Sequence, residues 1–339
     1  MPQRTRRALL KLAPVVALPL AGCSGTDDAG DPSPSDGPAD EASAAQSPTD
    51  TSTSSPDTAD GSASVSVGQV VAGEKLRLVV RSVSTTRQLG EYQRADAGQT
   101  YEVVRIAVKN VTRSATVDFN SVLQLELRDG SGDTYTPTLS LSDAAFENGQ
   151  LAPGEVARGD VAFEIPQDAR DLRLHADFSA FSDGDGATVD LGARAADPAD
   201  LEQSLQVPVH DVGETVSHEG IAVTANGASF EDALGEYTQA PAGKEYAIVD
   251  VTTANRTDHT EAFSSLLQMG VKDGAGWGYD PSALASGQLS NGYDGGDVAP
   301  GGQSRGAIAF EVRADAAPLY FAFEYAVLTG GSKTFWRLR

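Results

Sequence analysis

Hydrophobic and polar residues alternate with a period of two along many short stretches of this chain. The stretch Leu123–Arg128 alternates strictly and stops at the turn pair Asp129-Gly130. Such alternation places the apolar side chains on one face, which predicts half-buried strands. The same alternation recurs after Gly, Pro or Asp turns at residues 161–165, 172–178 and 319–323. No long stretch has a helical period, so the pattern predicts an all-β protein.

The chain contains this pattern twice. Leu89–Thr112 and Leu234–Thr257 are related by a constant offset of 145, and 11 of their 24 positions are identical. Equivalent turns follow in both halves, for example Pro153-Gly154 and Pro300-Gly301. Each copy contains about seven or eight short predicted strands, which is typical of an antiparallel sandwich. We therefore predict two tandem antiparallel β-sandwiches.

The repeat and the composition divide the chain into five parts. We place a signal peptide at residues 1–22 and an acidic tether, rich in Ser, Thr, Pro and Asp, at residues 23–66. Module one is expected at residues 67–191 and module two at residues 207–339. Residues 192–206 are the expected linker between the modules. A length of 339 residues suits a tail followed by two domains of this size.

The N-terminus carries features of export and lipid attachment. The pair Arg6-Arg7 resembles the twin-arginine export signal, and an ordinary Sec signal is the alternative. The apolar run that follows is too short to span a bilayer and contains two prolines. Leu20–Cys23 resembles a lipobox, and Cys23 is the only cysteine of the chain. We therefore expect a lipid on Cys23 and a location on the extracytoplasmic face of the cell membrane.

The expected tether has the composition of a disordered segment. From Ser24 to Ser66 it contains nine acidic residues, no basic residue, five prolines and no aromatic residue. Such a segment cannot bury enough apolar surface to offset the entropy lost on ordering. As a flexible coil it would have an end-to-end distance of roughly 35–40 Å.

The charge of the chain excludes one class of partner. The formal net charge is −23, although four basic residues lie within the first eleven positions. A chain this acidic repels phosphate backbones, so we expect no nucleic-acid partner. Abundant aspartate with few lysines resembles proteins of extreme halophiles, which suggests a haloarchaeal origin; a merely acidic extracellular protein is the alternative. A single cysteine also excludes an intrachain disulfide.

The repeated motifs resemble a known module. The run Ala-Gly-x-x-Tyr-x-x-Val leads into an alternating strand that ends at Asn110-Val111-Thr112 or Asn255-Arg256-Thr257. Together with the Asp-Gly hairpin, the Pro-Gly turn and the strand Phe163-Glu164-Ile165, it resembles the telokin-like domain of unknown function of the 4352 type. That resemblance implies an immunoglobulin-like fold in both modules and an extracytoplasmic location. It implies no catalytic residues.

No catalytic constellation accompanies these motifs. The four histidines lack zinc-site spacing, and the chain contains neither a Gly-x-Ser-x-Gly elbow nor a phosphate loop. We therefore expect a protein that is not an enzyme and that has no cofactor and no metal site. The loop Asp129–Asp133 could offer oxygen ligands to calcium, but hairpin-turn chemistry explains it without a metal.

Two kinds of candidate site remain. Asn110 and Asn255 head N-glycosylation sequons at equivalent positions, and a turn asparagine bonded to the backbone is the alternative explanation. The repeated Leu-Gly-Glu-Tyr motif could be a packed tyrosine with a turn glycine, or a contact surface used once per module. The candidate contact residues are Glu91, Tyr92, Glu236, Tyr237, Trp277 and Trp336.

These observations define a functional hypothesis and its alternative. We expect a lipid-anchored, non-catalytic surface protein that binds an envelope protein or a surface glycan through its duplicated modules. The alternative is a solute- or metal-binding accessory subunit of a transporter or surface enzyme. A deep pocket with convergent polar groups would favour solute binding, and a flat aromatic patch would favour protein contact.

Overall fold

The structure is a computed structural model of the 339-residue chain. It describes residues 64–90, 93–140, 142, 144–178, 186–235, 238–325 and 332–339. The predicted signal peptide, nearly all of the predicted tether and the residues Arg6, Arg7 and Cys23 lie outside this part. Both modules belong to one compact unit, Ser54–Arg339.

Module one consists of strands and one short helix. Two five-stranded sheets, in the orders β1-β14-β13-β8-β9 and β10-β12-β6-β3-β2, are accompanied by the pairs β4-β5 and β7-β11. The elements are β1 Ser64–Val67, β2 Val70–Ala72, β3 Leu76–Thr86, β4 Gln88–Leu89, β5 Gln93–Arg94, β6 Gln99–Asn110, β7 Val117–Phe119, α1 Ser121–Gln124, β8 Leu125–Arg128, β9 Thr134–Tyr135, β10 Pro137–Thr138, β11 Gly149–Leu151, β12 Val156–Pro166, β13 Arg173–Ala176 and β14 Ala187–Arg194.

Module two repeats this arrangement. Its sheets have the orders β15-β27-β26-β22-β23 and β16-β17-β20-β25, with the pairs β18-β19 and β21-β24. The elements are β15 Val209–Asp211, β16 Thr215–His218, β17 Ile221–Glu231, β18 Ala233–Leu234, β19 Thr238–Gln239, β20 Lys244–Asn255, β21 Glu261–Phe263, α2 Ser265–Gln268, β22 Met269–Asp273, β23 Gly278–Tyr279, α3 Ala283–Ser286, β24 Gly296–Val298, β25 Gln303–Arg313, β26 Leu319–Glu324 and β27 Lys333–Arg337.

Each module has its own core between two sheets. In module one, Leu127 and Val189 of one sheet pack with Ile106 and Phe163 of the other, and all four are fully buried. An equivalent core in module two contains Phe310 and Phe321, with ring centroids 6.3 Å apart. Because these side chains alternate along their strands, one face of every sheet is apolar. The predicted all-β fold of tandem sandwiches is confirmed.

The sheets differ from the prediction in one respect. The first strand of each module pairs in parallel with the last strand of the same module, β1 with β14 and β15 with β27. The other strand pairs within the two main sheets of each module are antiparallel. Parallel partners need a long connection, and here the whole module lies between the two strands.

The predicted strand Leu123–Arg128 begins too early. Ser121–Gln124 forms the one-turn helix α1, and the strand starts only at Leu125. The side-chain oxygen of Asn120 accepts hydrogen bonds from Val122 N and Leu123 N, which caps this turn. Leu123 is therefore exposed rather than buried with Leu125 and Leu127.

The linker between the modules packs onto module one. Leu201 is buried in a small cluster with Val79, Ala107 and Val156. Asp200 lies 3.2 Å from the Arg81 guanidinium and also accepts a hydrogen bond from Arg158. The second half of the expected linker is therefore tied to the first sandwich by apolar and ionic contacts.

Candidate functional site

An aspartate closes the hairpin between β8 and β9 of module one. One oxygen of Asp129 accepts hydrogen bonds from Ser131 N at 2.9 Å and Asp133 N at 3.0 Å. The other accepts from the Tyr135 hydroxyl at 2.8 Å. The bond from the Ser131 hydroxyl is the largest cause that lowers the pKa of Asp129 to about 2. Turn chemistry thus accounts for this acidic loop.

The equivalent hairpin of module two, residues 273–279, has the same internal bonds. Asp273 accepts from Ala275 N at 2.9 Å, Trp277 N at 3.0 Å and the Tyr279 hydroxyl at 2.9 Å. Arg313 adds an ion pair of 3.1 Å to the same buried carboxylate. We call residues 273–279 the module-two hairpin.

The module-two hairpin packs against module one. Arg158 N donates a hydrogen bond of 3.0 Å to Gly276 O, and the Arg158 guanidinium donates to Ala275 O. The Arg105 guanidinium lies over the Trp277 ring, 5.4 Å from its centroid. Gly276 is essential to this approach, because a Cβ there would lie 2.8 Å from Val156 O.

A buried ion cluster joins the modules beside the hairpin. Glu155 of module one is fully buried and accepts hydrogen bonds from Lys272 Nζ and from Lys333 Nζ, the latter at 3.0 Å. Lys333 also lies 2.9 Å from Glu324. Burial acts to raise the pKa of Glu155, but the two lysines outweigh it, and the pKa is lowered. Two carboxylates are thus paired with two ammonium groups, which offsets much of the cost of burying them.

An apolar contact continues the interface. Ala152 of module one packs with Ala322 and Phe335 on the outer face of the module-two sheet, and all three are buried. Leu205 of the linker and Val207 at the start of module two cover the same cluster. The two sandwiches are therefore joined by apolar packing, backbone hydrogen bonds and ion pairs.

A groove runs along this junction. Its larger part, about 730 Å3, is lined by both modules and includes Phe146, Trp277 and Tyr279. Its smaller part, about 390 Å3, lies on the side of α2. Glu147 and Asp280 line both parts. Such volumes are within the range of small-molecule sites, so the groove is the candidate functional site.

The charged groups of the groove differ in their pairing. Lys244 lies 2.6 Å from Glu311, so this cation of the wall has an acidic partner. The Glu147 side chain is open to the groove but surrounded by protein. This desolvation, followed by the charge of Asp280, raises the pKa of Glu147 to about 7. Desolvation also raises the pKa of Asp280. A carboxyl that titrates near neutrality can donate or accept a hydrogen bond there.

Trp336 was predicted as an exposed contact residue, and this prediction is wrong. Its strand β27 lies between β15 and β26, so the ring faces the core and is fully buried. The ring centroid lies 5.7 Å from that of Phe321, and Nε1 donates to Glu214 O at 2.9 Å. Proximity to the chain end did not expose the residue, because the strand is internal to its sheet.

Trp277 is only partly buried, but it does not stand alone on the surface. It contacts module one in the junction and also lines the groove. Glu91, Tyr92, Glu236 and Tyr237 lie outside the described residues.

The rest of the repeated Leu-Gly-Glu-Tyr motif is structural. Leu89 packs with Tyr101, and Leu234 packs with Tyr246, in matching small clusters. Gly90 and Gly235 have positive φ angles of 58° and 69°, as expected for turn glycines. Gly90 and Gly235 are therefore turn glycines, as predicted, whereas the predicted packing of Tyr92 and Tyr237 lies outside the described residues.

The structure contradicts glycosylation of the folded modules at both sequons. Asn110 is fully buried, and its Nδ2 donates hydrogen bonds of 2.8 Å to Ala115 O and to Leu151 O. Asn255 is equally buried, and its Nδ2 donates to two backbone carbonyls in the same way. Each Oδ1 accepts from the backbone two residues on. A glycan on either nitrogen would break these bonds, so the asparagines close turns.

Two further features are absent from the described residues. No group of three His, Cys, Asp or Glu side chains there is placed to hold a metal ion. Within the same residues, no helix has the length and apolar character needed to cross a membrane.

Sequence reasoning missed the ion cluster. Acidic residues are so frequent that Glu155 does not stand out, and the equivalent position in module two is Gly302. One clue was present. The chain contains few lysines. Only two follow Lys244, namely Lys272 and Lys333, and both bind Glu155.

The fold and the repeat define the class of this protein as a tandem β-sandwich protein with one sandwich per repeat. The chain belongs to the family of the domain of unknown function DUF4352, whose model matches residues 65–187 and again residues 210–333. The resemblance to the 4352-type domain is thereby confirmed.

Solved structures with a similar fold come from bacteria. The yjhA protein of Bacillus subtilis is 14% identical, with a TM-score of 0.32, covering 37% of this chain and 98% of its own. A β-sandwich protein of Clostridium difficile is 17% identical, with a TM-score of 0.28 and coverages of 39% and 95%. The ycdA protein of Bacillus subtilis, a candidate lipoprotein, is 13% identical, with a TM-score of 0.31 and coverages of 55% and 72%. No relative is found among the curated proteins.

Proposed function

We propose that this chain is an exported, lipid-anchored protein of the extracytoplasmic membrane face that binds its partner, without catalysis, in the groove between its modules. The observation that carries the proposal is the locked junction. Glu155, Lys272 and Lys333 fix the two modules relative to each other, so the groove exists before any ligand arrives. A preformed site loses less entropy when it binds.

The proposed location depends on the N-terminus. Cys23 follows Leu20-Ala21-Gly22, as a lipidated cysteine requires, and the residues up to 66 have the composition of a flexible tether. Two acyl chains on Cys23 would anchor the protein stably, whereas one chain would bind only marginally. Export by the twin-arginine route belongs to the same proposal.

A partner protein and a small solute are the two candidate occupants. The aromatic rings of Trp277 and Tyr279 lie in the junction instead of forming a flat patch, and the groove has converging polar groups. These features support a solute. The exposed Leu266 and Leu267, which line the groove, support a protein. They are the stronger argument because the equivalent turn of module one also carries an exposed apolar pair, Val122 and Leu123.

Site-specific photocrosslinking in native membranes tests the proposal. The crosslinking residue replaces Asp280, which is exposed in the groove, or Thr215, which is exposed on β16 at the far edge of its sheet. We expect a reproducible crosslinked product from position 280 and none from position 215. The same product should disappear when Cys23→Ser releases the protein from the membrane.

Equal labelling from both positions would contradict a groove site. Absence of a crosslinked protein at position 280 would favour the solute alternative, and native mass spectrometry of the purified chain would then show a retained small molecule. Retention of the Cys23→Ser form on the membrane would contradict the lipid anchor.

A further inference from the structure

The repeat places an exposed apolar pair at the same position in each module. Val122 and Leu123 in α1 are 51% and 65% exposed, and Leu266 and Leu267 in α2 are 65% and 68% exposed. A single exposed leucine is ordinary on a protein surface. Here two adjacent apolar residues are exposed in each of two equivalent one-turn helices, so they form a repeated surface feature.

These pairs do not hold their helical turns in place. In module one, the side chain of Gln124 turns back so that its Oε1 accepts from Asn120 N at 2.8 Å. In module two, Gln268 Oε1 accepts from Ser264 N at 2.9 Å. The glutamines thus close both turns, which leaves the apolar side chains in water without a structural task.

One apolar pair lines the smaller part of the groove, and the turn that carries the other pair adjoins it. Leu266 and Leu267 line it directly from module two. On the side of module one, Asn148 lines the same part, and its Oδ1 accepts a 2.6 Å hydrogen bond from Ser121 N at the start of α1. The two turns that carry the apolar pairs therefore adjoin one groove from opposite modules.

The accessible charge of this part of the groove is negative. Asp118 and Asp280 line it and are exposed, and Glu147, with its pKa of about 7, adds a partial negative charge at neutral pH. The lysines of its wall, Lys272 and Lys333, are turned toward Glu155, and Lys333 also pairs with Glu324. An apolar surface with an acidic rim attracts an apolar partner with a basic rim. It repels both a second copy of this acidic chain and an anionic lipid surface.

We propose that the smaller part of the groove is a docking surface for a basic, amphipathic segment of an envelope protein. Apolar side chains of that segment pack between the pair Val122 and Leu123 and the pair Leu266 and Leu267, while its lysines or arginines face Asp118, Glu147 and Asp280. This inference rests on the proposed binding function and adds the chemistry of the partner.

Binding of defined peptides to the full chain carrying Cys23→Ser tests the inference. Three labelled helical peptides of about 18 residues serve as probes, one of leucine and lysine, one of leucine and glutamate, and one of serine and lysine. We expect the leucine–lysine peptide to bind at least about tenfold more tightly than either other peptide.

Matched variants locate the binding surface. The double variants Leu266→Ser/Leu267→Ser and Val122→Ser/Leu123→Ser should each weaken the leucine–lysine peptide by about tenfold or more. Leu284→Ser, a change at a 72% exposed leucine in α3, should leave the affinity unchanged. Because all five side chains are exposed, none of these changes removes a core contact, and near-ultraviolet circular dichroism confirms the fold.

Full affinity in either double variant would overturn the two-sided surface. Equal binding of the serine–lysine peptide would also overturn it, because attraction would then be purely electrostatic. Binding to vesicles of phosphatidylglycerol and phosphatidylethanolamine is measured in the same way. If the double variants reduce vesicle binding rather than peptide binding, the apolar pairs contact lipid and the proposal is wrong. The crosslinking result at position 280 does not depend on these outcomes.

Discussion

Glu155 shows how a single side chain can fix the geometry of a two-module protein. The carboxylate is fully buried, yet the two lysines that bind it, Lys272 and Lys333, come from the other module. Removing one member of such a cluster leaves buried charge without a partner, which costs more than the pairing itself contributes.

We expect Glu155→Gln to lower the free energy of unfolding by about 3–5 kcal/mol, because two ammonium groups lose their shared carboxylate. Urea unfolding followed by tryptophan fluorescence measures this. The chain has two tryptophans, Trp277 in the junction and Trp336 in the core of module two. Glu202→Gln is the control, since that side chain is exposed on the connecting segment. Equal stability of the two variants would show that the cluster does not hold the junction.

A second prediction at the residue scale concerns Glu147, whose pKa is raised to about 7 by desolvation. The folded protein holds this proton more tightly than the unfolded chain, where the pKa is about 4.3. The stabilising effect is therefore complete below the unfolded value and is lost as the pH rises through 7.

Glu147→Gln should remove this pH dependence. We expect the variant to melt at a higher temperature than the wild type at pH 8 and at a similar one at pH 4, measured by calorimetry across that range. Glu231→Gln, a change at an exposed position at the end of β17, is the control. If the melting curves of Glu147→Gln and the wild type shift in parallel with pH, this carboxyl is not the titrating group.

Among the elements, the two aspartate-closed hairpins have the same conformation and different roles. Gly132 and Gly276 have φ angles of 95° and 92°, so the backbone turn is conserved between modules. A Cβ at Gly132 would meet nothing within 4 Å, whereas one at Gly276 would meet Val156 of the other module. The same turn is thus free in module one and docked in module two.

This pair allows a matched comparison. Gly132→Ala should cost about 1 kcal/mol of stability, because alanine is strained at a positive φ. Gly276→Ala should cost the same amount plus roughly 1–3 kcal/mol for overpacking against Val156. Chemical denaturation gives both values. Equal losses in the two variants would mean that the junction opens enough to accept the added methyl group.

For the whole molecule, charge is the dominant property. With a net charge of −23, the acidic side chains of the folded protein repel one another and destabilise it, and salt reduces this repulsion. The halophilic origin suggested by the composition stays a prediction.

We expect the full chain carrying Cys23→Ser to melt at a higher temperature in about 3 M KCl than in about 0.1 M KCl, because the screening length falls from about 10 Å to less than about 3 Å. Sorbitol at matched water activity is the control for general solute effects. A melting temperature that does not rise with KCl would show that the acidic surface is not an adaptation to salt.

Much of the fold could be predicted, because the information that specifies it is local. Period-two alternation located β12, β13 and β26, and the Asp-Gly pair located the hairpin before Tyr135. Local pattern failed at α1, where Leu123 continues the alternation but Asn120 caps a helical turn. The candidate site was largely missed, because Glu155 is more than a hundred residues away from both Lys272 and Lys333. No motif links the three residues.

The sequence by itself determined the duplication and the all-β class, because these depend on short-range periodicity and on comparison of the two copies. Only the tertiary structure decided that Trp336 is buried, that Asn110 and Asn255 close turns, and that the two modules lock together over a groove. Those properties depend on which faces meet across long sequence separations. No local pattern encodes such a meeting, because the same alternating strand can face a core, a partner module or water.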